Sequence, residues 1–198
     1  MSVYTIALFL HIAGAFALMA VFGIQMANTV WLRQARRVEQ VRELVGRMEA
    51  LAKAFPVILL TILAAGLYLA ITAWGFRTAW IDVSLVTFLS LAVAGPVLHA
   101  PRGAAMKRAA EATPEGPLPA ELAALVRDPV LLGSQLTFVA LTLGILFLMT
   151  TKPALGFSIG VMLVALLLGL ATCLPLRRRA PVGAQATRAA DVPATVDR

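Results

Sequence analysis

The stretch YTIALFLHIAGAFALMAVFGIQMANTVWL, residues 4–32, contains no Asp, Glu, Lys or Arg. The hydrocarbon core of a bilayer is about 30 Å thick, and about 20 apolar residues in a helix cross it. Every backbone N–H and C=O in lipid needs an internal partner, so an apolar segment of this length must be helical there. The stretch therefore predicts a membrane-spanning helix near the start of the chain.

Four further segments are long, apolar and almost free of charge. Of all 198 residues, 60% are hydrophobic and 14% are charged, whereas soluble domains carry roughly 25% charged residues. The sequence therefore predicts an all-α integral membrane protein, a bundle of five transmembrane helices within residues 1–176. The four further spans are expected at residues 55–76, 80–100, 130–151 and 154–176.

Basic residues are divided unevenly between the segments that join these spans. All but two of the 17 Lys and Arg residues lie in residues 33–54, 101–129 and 177–198, and the two on the other side are Arg77 and Lys152. Because Lys and Arg are retained on the cytoplasmic side, the N-terminus is predicted outside and the C-terminus inside a bacterial plasma (inner) membrane. Topology thus accounts for most of the net charge of +7, and no nucleic-acid partner is expected.

Residues 33–54 carry an amphipathic pattern that predicts a cytoplasmic helical extension after the first span. Apolar residues recur at steps of three or four, with charged residues between them. The apolar face is expected on the membrane or on the bundle, so Val41 should carry stability and Arg42 should not. The extension is interpreted as a connector at the membrane surface or as a docking helix for a partner or anionic lipid. The apolar positions are Val38, Val41, Val45, Met48 and Leu51.

Two other segments differ in composition from the spans. Residues 101–129 contain five prolines. Those at 101, 114, 117 and 119 are expected to interrupt any long helix, Asp128-Pro129 opens the fourth span, and residues 122–126 are predicted to form a short helix. Residues 177–198 are rich in Ala, Pro and Arg without apolar periodicity, so a disordered cytoplasmic tail is predicted there.

Two histidines, His11 and His99, lie within the predicted spans, where an ionisable group is costly and a functional role is the default interpretation. His11 shares a helical stripe with Gly14, Gln25 and Thr29, so it is expected to face the bundle interior, about 10 Å below the outer surface. It is interpreted as a haem or metal ligand, as part of a proton relay, or as a neutral imidazole hydrogen-bonded to a neighbouring helix. His99 is expected near the cytoplasmic face, roughly 15–20 Å from His11 along the membrane normal, too far to share one metal.

Recognised catalytic motifs are missing from the sequence. It contains no phosphate-binding glycine loop, nucleophile elbow or HExxH motif, so no catalytic residue is assigned and an enzyme is not favoured. With one Cys and two His, no metal site is predicted. Gly156 and Gly160 form a small-xxx-small pair, which predicts a helix contact, either within the chain or in a homo-oligomer or with another membrane partner.

Several short motifs occur together in an order that resembles a known family. The motifs are Leu10-His11 with Gly14, Gly66-Leu67-Tyr68, Trp74-Gly75-Phe76 with Trp80, Pro101-Arg102, Arg127-Asp128-Pro129, and the run from Phe147 to Pro153. On these motifs the chain resembles the bacterial predicted integral membrane proteins of the domain of unknown function 2269 family over about residues 4–176.

The resemblance extends to more distant relatives, the copper-resistance CopD-like proteins and the small haem-binding protoporphyrinogen oxidases. These carry a His early in the first helix, and His11 matches that position, so the resemblance implies haem or another redox cofactor on His11. The haem-binding relatives also use a Lys inside a later helix. No span here contains a Lys, because Lys152 lies at an outer edge, so the oxidase reaction is not carried over.

Three functions are consistent with these observations. The first is a membrane protein that binds haem or another redox cofactor through His11. The second is a carrier or accessory protein for a small solute or metal. The third is a structural assembly partner without a ligand. An absorption spectrum of the purified protein distinguishes the first from the other two.

Overall fold

The computed structural model describes residues 2–172, and within them it contains helices and no strand. This confirms the all-α prediction. We number the helices α1 to α7, with a π-helical turn, Ala70–Trp74, continuing α3. Their bounds are α1 Val3–Gln34, α2 Val38–Ala52, α3 Phe55–Leu69, α4 Ala79–Ala112, α5 Ala120–Val126, α6 Pro129–Thr151 and α7 Leu155–Ala171.

Four helical segments are long and apolar enough to cross a membrane: Val3–Gln34, Val38–Trp74, Ala79–Ala112 and Ala120–Thr151. The shorter apolar helix α7 has 17 residues, about 25 Å at 1.5 Å per residue. Large apolar side chains such as Phe16 and Val57 are exposed on these helices, as contact with lipid requires. Residues 173–176 of the predicted fifth span and the predicted tail 177–198 lie outside the described residues.

The bundle is organised around α1 and α6, which contact each other. Helix α3 packs mainly on α1, whereas α4 and α7 pack on α6 and touch each other. At one end of the bundle, the Trp74 and Trp80 rings meet edge to face with centroids 5.5 Å apart. The Lys152 ammonium lies 4.3 Å from the centroid of the Trp74 ring, a cation–π contact that joins α3 to the end of α6. Tryptophans at the end of an apolar helix bundle are typical of the boundary between lipid and water.

At the opposite end, the helices extend beyond the length that a bilayer needs. Helices α1 and α4 have 32 and 34 residues, about 48 and 51 Å, against a hydrocarbon core of about 30 Å. The excess carries charged side chains and packs with α2 and α5. We call this part the basic layer: the end of α1 from Leu32, α2, residues 102–119 and α5.

The apolar face of α2 forms the core of the basic layer. Val38 and Val41 are fully buried, and they belong to one cluster with Met106 of α4 and with Leu122 and Val126 of α5. The predicted helix in residues 33–54 is therefore present as α2. Its apolar face is covered by helices of the same chain, so that face is not a docking surface for lipid or for a partner.

The sequence predicts no stabilising role for Arg42, whereas in the structure Arg42 makes two hydrogen bonds to backbone carbonyls. Its Nε donates to the Ala110 carbonyl at 2.9 Å, and one terminal nitrogen donates to the Thr113 carbonyl at 2.6 Å. The last carbonyls of a helix have no partner within it, so these bonds satisfy the end of α4. The amphipathic pattern could not predict these hydrogen bonds, because Ala110 lies 68 residues after Arg42 in the sequence.

Pro101 does not interrupt the third span, contrary to the prediction for the four prolines. Helix α4 continues through Pro96 and Pro101 to Ala112. A proline inside a helix removes one backbone hydrogen bond and loosens the preceding turn. Here the Arg102 guanidinium donates to the Leu98 carbonyl at 2.7 Å, in the turn before Pro101, whereas the carbonyl that loses its backbone donor is that of Val97.

The other three prolines do lie outside helices, in a short connection that is held by backbone pairing. Val38 donates to the Gly116 carbonyl at 3.1 Å, and Leu118 donates to the Arg36 carbonyl at 2.9 Å. The predicted short helix follows as α5. The connection from α4 to α5 is thus an integral part of the basic layer.

Candidate functional site

His11 lies at the interface between α1 and α3, where its stripe predicted an inward-facing side chain. Its Nδ1 is 3.0 Å from the Ile62 carbonyl oxygen. A carbonyl oxygen can only accept, so in the neutral ring Nδ1 carries the hydrogen and donates it. The unprotonated nitrogen, which holds the lone pair, is therefore Nε2.

Gly66 gives the His11 ring its place against α3. A Cβ built on Gly66 would lie 2.8 Å from Cε1 of His11 and 3.0 Å from its Nδ1. Any other residue at position 66 would push the imidazole away from the α3 backbone. The sequence did not predict that Gly66 contacts His11, although Gly66 belongs to one of the motifs on which the family resemblance rests.

Nε2 of His11 remains available for a ligand. It has no hydrogen-bond partner among the described residues, and His11 as a residue is half-buried. A groove of about 410 Å³ lies between α1 and α3, lined in part by Leu10 and by Ala65, the neighbours of His11 and Gly66, although His11 itself does not line it. A histidine that is oriented through Nδ1 and open at Nε2 has the arrangement that metal-binding histidines use.

His99 is in a separate environment, as the sequence predicted from its depth. Its Nε2 is 3.2 Å from Ser134 Oγ on α6, and its ring meets Phe138 edge to face with centroids 5.7 Å apart. His11 contacts α3, whereas His99 contacts α6. The structure therefore does not bring the two histidines together. Within residues 2–172, no group of three or more His, Cys, Asp or Glu lies close enough to hold a metal ion.

A buried pair of polar side chains joins α1 to α6. Thr29 donates its hydroxyl hydrogen to the Gln25 carbonyl at 2.9 Å, so its oxygen can only accept from Gln135 Nε2, which lies 2.9 Å away. The Oε1 atoms of Gln135 and Gln25 are both buried without a partner among the described residues. Gln25 and Thr29 share the inward-facing stripe of His11, and the structure shows that Thr29 meets Gln135 of α6.

Arg33 and Arg102 converge on the start of α6, where the basic layer begins. Arg33 donates to the carbonyls of Arg127 and Asp128 at 2.9 and 3.2 Å, and Arg102 Nε pairs with Asp128 at 3.0 Å. The other oxygen of Asp128 accepts from the Val130 N–H and caps α6. Burial, together with repulsion by Arg127, lowers the pKa of Arg33 from its ordinary value.

Gly156 and Gly160 do not form the contact between α6 and α7. A Cβ built on either would meet no heavy atom within 4 Å. Helix α7 instead approaches α6 through Gly144 and Gly169. The Cβ positions of these two residues would lie 3.0 Å from Met162 Sδ and 2.5 Å from Thr137 Cα. Gly156 and Gly160 therefore lie on a face of α7 that the described chain does not cover.

One comparison with known proteins gives a match. A family model described as predicted integral membrane protein (DUF2269) matches residues 5–153, which include α1 through α6 and all of the His11 surroundings. No curated protein and no solved structure matches the chain.

Proposed function

Because the chain belongs to the DUF2269 family of predicted integral membrane proteins, we propose a function within the bilayer, the binding of a redox cofactor, haem above all, through Nε2 of His11. The observation that carries the proposal is the hydrogen bond from His11 Nδ1 to the Ile62 carbonyl. It fixes the tautomer in which Nε2 is free to donate its lone pair to a metal.

The residues around His11 fit a single axial ligand. Ile62 accepts the Nδ1 hydrogen, which holds the ring plane and increases the basicity of Nε2. Gly66 allows the ring to lie against α3, and a largely apolar groove, which His11 itself does not line, runs along the neighbouring residues Leu10 and Ala65. Haem would supply one-electron chemistry, and the chain itself would orient and shield the group. Within residues 2–172 no cluster of three or more His, Cys, Asp or Glu side chains surrounds His11, so His11 would hold the group as a single protein ligand.

Absorption spectroscopy of the protein purified in detergent, after expression with added haem precursor, tests the proposal. We expect a Soret band that is lost in His11→Ala. The matched control is His99→Ala, which removes the other histidine and should keep the band. Absence of the band in the unaltered protein, or its persistence in His11→Ala, would overturn cofactor binding at this residue.

We also infer the orientation and the membrane. The distribution of Lys and Arg supports a bacterial inner-membrane protein with the N-terminus outside and the basic layer in the cytoplasm. In this orientation His11 lies in the outer half of the bilayer, on the side of Trp74 and Trp80.

The open face of α7 favours a second candidate function, that of an assembly partner. Gly156 and Gly160 leave a strip where another helix could approach closely, either from a second copy or from a different membrane protein. Purification in mild detergent, with and without Gly156→Leu and Gly160→Leu, tests this function. A complex that survives in the double variant would argue against this face as the contact. A carrier for a small solute is the remaining alternative, for which transport into vesicles is the measurement.

A further inference from the structure

A second groove, of about 470 Å³, lies between α4, α6 and α7 on another side of the bundle from His11. Its walls are largely apolar and include Val86 of α4, Leu141 of α6 and Leu163 of α7. One charged residue, Asp82, also lines it. Asp82 stands in the first turn of α4, at the same end of the bundle as Trp80.

The Asp82 carboxylate has no partner within residues 2–172. It makes no hydrogen bond or ion pair there, and Arg77, which is close in sequence, is not bonded to it. The hydroxyl groups of the other two polar residues that line the groove already donate hydrogen bonds within α4. Thr87 donates to the Val83 carbonyl and Ser90 donates to the Val86 carbonyl, each at 2.8 Å. The groove therefore presents one negatively charged hydrogen-bond acceptor, without a partner among the described residues, beside apolar walls.

The dimensions of the groove fit a lipid chain. Asp82 and Ser90 mark its extent on α4, and eight residues at 1.5 Å correspond to about 12 Å along the helix. That is nearly one leaflet of a hydrocarbon core about 30 Å thick. A carboxylate at the level of the interface and an apolar groove below it match the two parts of an amphiphile.

We propose that this groove binds a membrane lipid whose headgroup carries a primary amine, as in phosphatidylethanolamine. The ammonium donates to the Asp82 carboxylate in a charge-assisted hydrogen bond, and one acyl chain lies along Val86, Leu141 and Leu163. A trimethylated amine has the same charge and no N–H, so phosphatidylcholine makes the weaker contact. A second copy of the chain is a poorer occupant, because an apolar helix in the groove would leave Asp82 buried without a partner.

Native mass spectrometry of the full-length protein in detergent tests the proposal with phosphatidylethanolamine and phosphatidylcholine of identical acyl chains. We expect the ethanolamine lipid to bind at least about tenfold more tightly, as one charge-assisted hydrogen bond implies. Asp82→Asn keeps the shape of the side chain and loses its charge, and because the amide oxygen still accepts a hydrogen bond, the ratio of the two affinities should fall towards one. Equal binding of the two lipids by the unaltered protein, or an unchanged ratio in Asp82→Asn, would overturn the proposal.

Two tryptophan variants test the position of the acyl chain. Leu163→Trp fills the groove and should weaken both lipids without changing their ratio. The control is Leu167→Trp on the same helix, at a residue that is 64% exposed and does not line the groove, and it should leave both affinities unchanged. Equal effects of the two variants, or a dimer that excludes both lipids, would contradict this site. None of these outcomes depends on His11, so the proposal stands or fails separately from the cofactor.

Discussion

The absence of one Cβ determines how closely the His11 imidazole approaches α3. Gly66 lies under the ring, and the Nδ1 hydrogen reaches the Ile62 carbonyl one helical turn earlier. The helical stripe predicted that His11 faces inward, because periodicity reports direction. It could not predict Ile62 and Gly66 as partners, since they lie more than 50 residues away and meet His11 only when α1 and α3 pack.

Gly66→Ala tests this contact. The new methyl group would lie 2.8 Å from Cε1, so the ring or the helices must shift, and overpacking of this kind costs about 1–3 kcal/mol. We expect a lower melting temperature in detergent and, if haem is bound, a weaker Soret band.

The control for this variant is Gly23→Ala in α1, where a Cβ would meet no heavy atom within 4 Å. Because alanine favours helix over glycine, Gly23→Ala should keep or raise the melting temperature. Equal melting of the two variants would mean that the close approach of His11 to Gly66 carries no stability.

The pair of Thr29 and Gln135 allows a second test at the residue scale. Thr29→Val leaves Gln135 Nε2 buried without an acceptor, a loss of about 1–3 kcal/mol, or less within a membrane bundle. Gln135→Leu removes the whole amide, including Oε1, which is already buried without a partner, so it should cost less. We expect the double variant to be more stable than Thr29→Val alone, as measured by unfolding in detergent. A double variant less stable than Thr29→Val would contradict this pairing.

Among the elements, α2 shows what an amphipathic pattern can and cannot predict. The spacing of its apolar residues correctly predicts a helix and identifies its buried face. The pattern left open whether lipid, the bundle or a partner covers that face. What covers this face depends on the length of α4 beyond the membrane. The predicted third span ends at residue 100, because Pro101 was expected to interrupt the helix, whereas α4 continues to Ala112.

Arg42→Ala is the test at this scale, and its expected result is the reverse of the one that the amphipathic pattern predicts. The variant loses hydrogen bonds to the Ala110 and Thr113 carbonyls at the end of α4. We expect a loss of about 1–2 kcal/mol, seen as a lower melting temperature. Val41→Asp should cost more, because it places a charge in the fully buried core of the basic layer.

Arg47→Ala is the matched control on the same helix. Among residues 2–172, Arg47 pairs only with Glu43, four residues earlier on an exposed face, and such pairs contribute little. If Arg42→Ala and Arg47→Ala melt at the same temperature, the bonds from Arg42 do not stabilise the end of α4.

For the whole molecule, the same arginines account for topology and for packing. Arg33, Arg42 and Arg102 contribute to the charge imbalance from which the orientation is inferred. Each also donates to backbone carbonyls at a helix end or at the proline turn of α4. Composition and charge therefore predict the membrane class and the four long apolar segments, whereas the basic layer depends on contacts between residues far apart in sequence.

The orientation is testable without altering any charged residue. Ala50→Cys places a thiol on the exposed surface of α2, and Phe76→Cys places one at the end that carries Trp74. With Cys173 replaced by Ser, an impermeant maleimide added to intact bacterial cells should label position 76 and leave position 50 unlabelled until the membrane is opened. Labelling at position 50 alone in intact cells would place the basic layer outside and reverse the inferred topology. It would also move His11 to the inner half of the bilayer, because the direction of α1 fixes the depth of His11 relative to the basic layer.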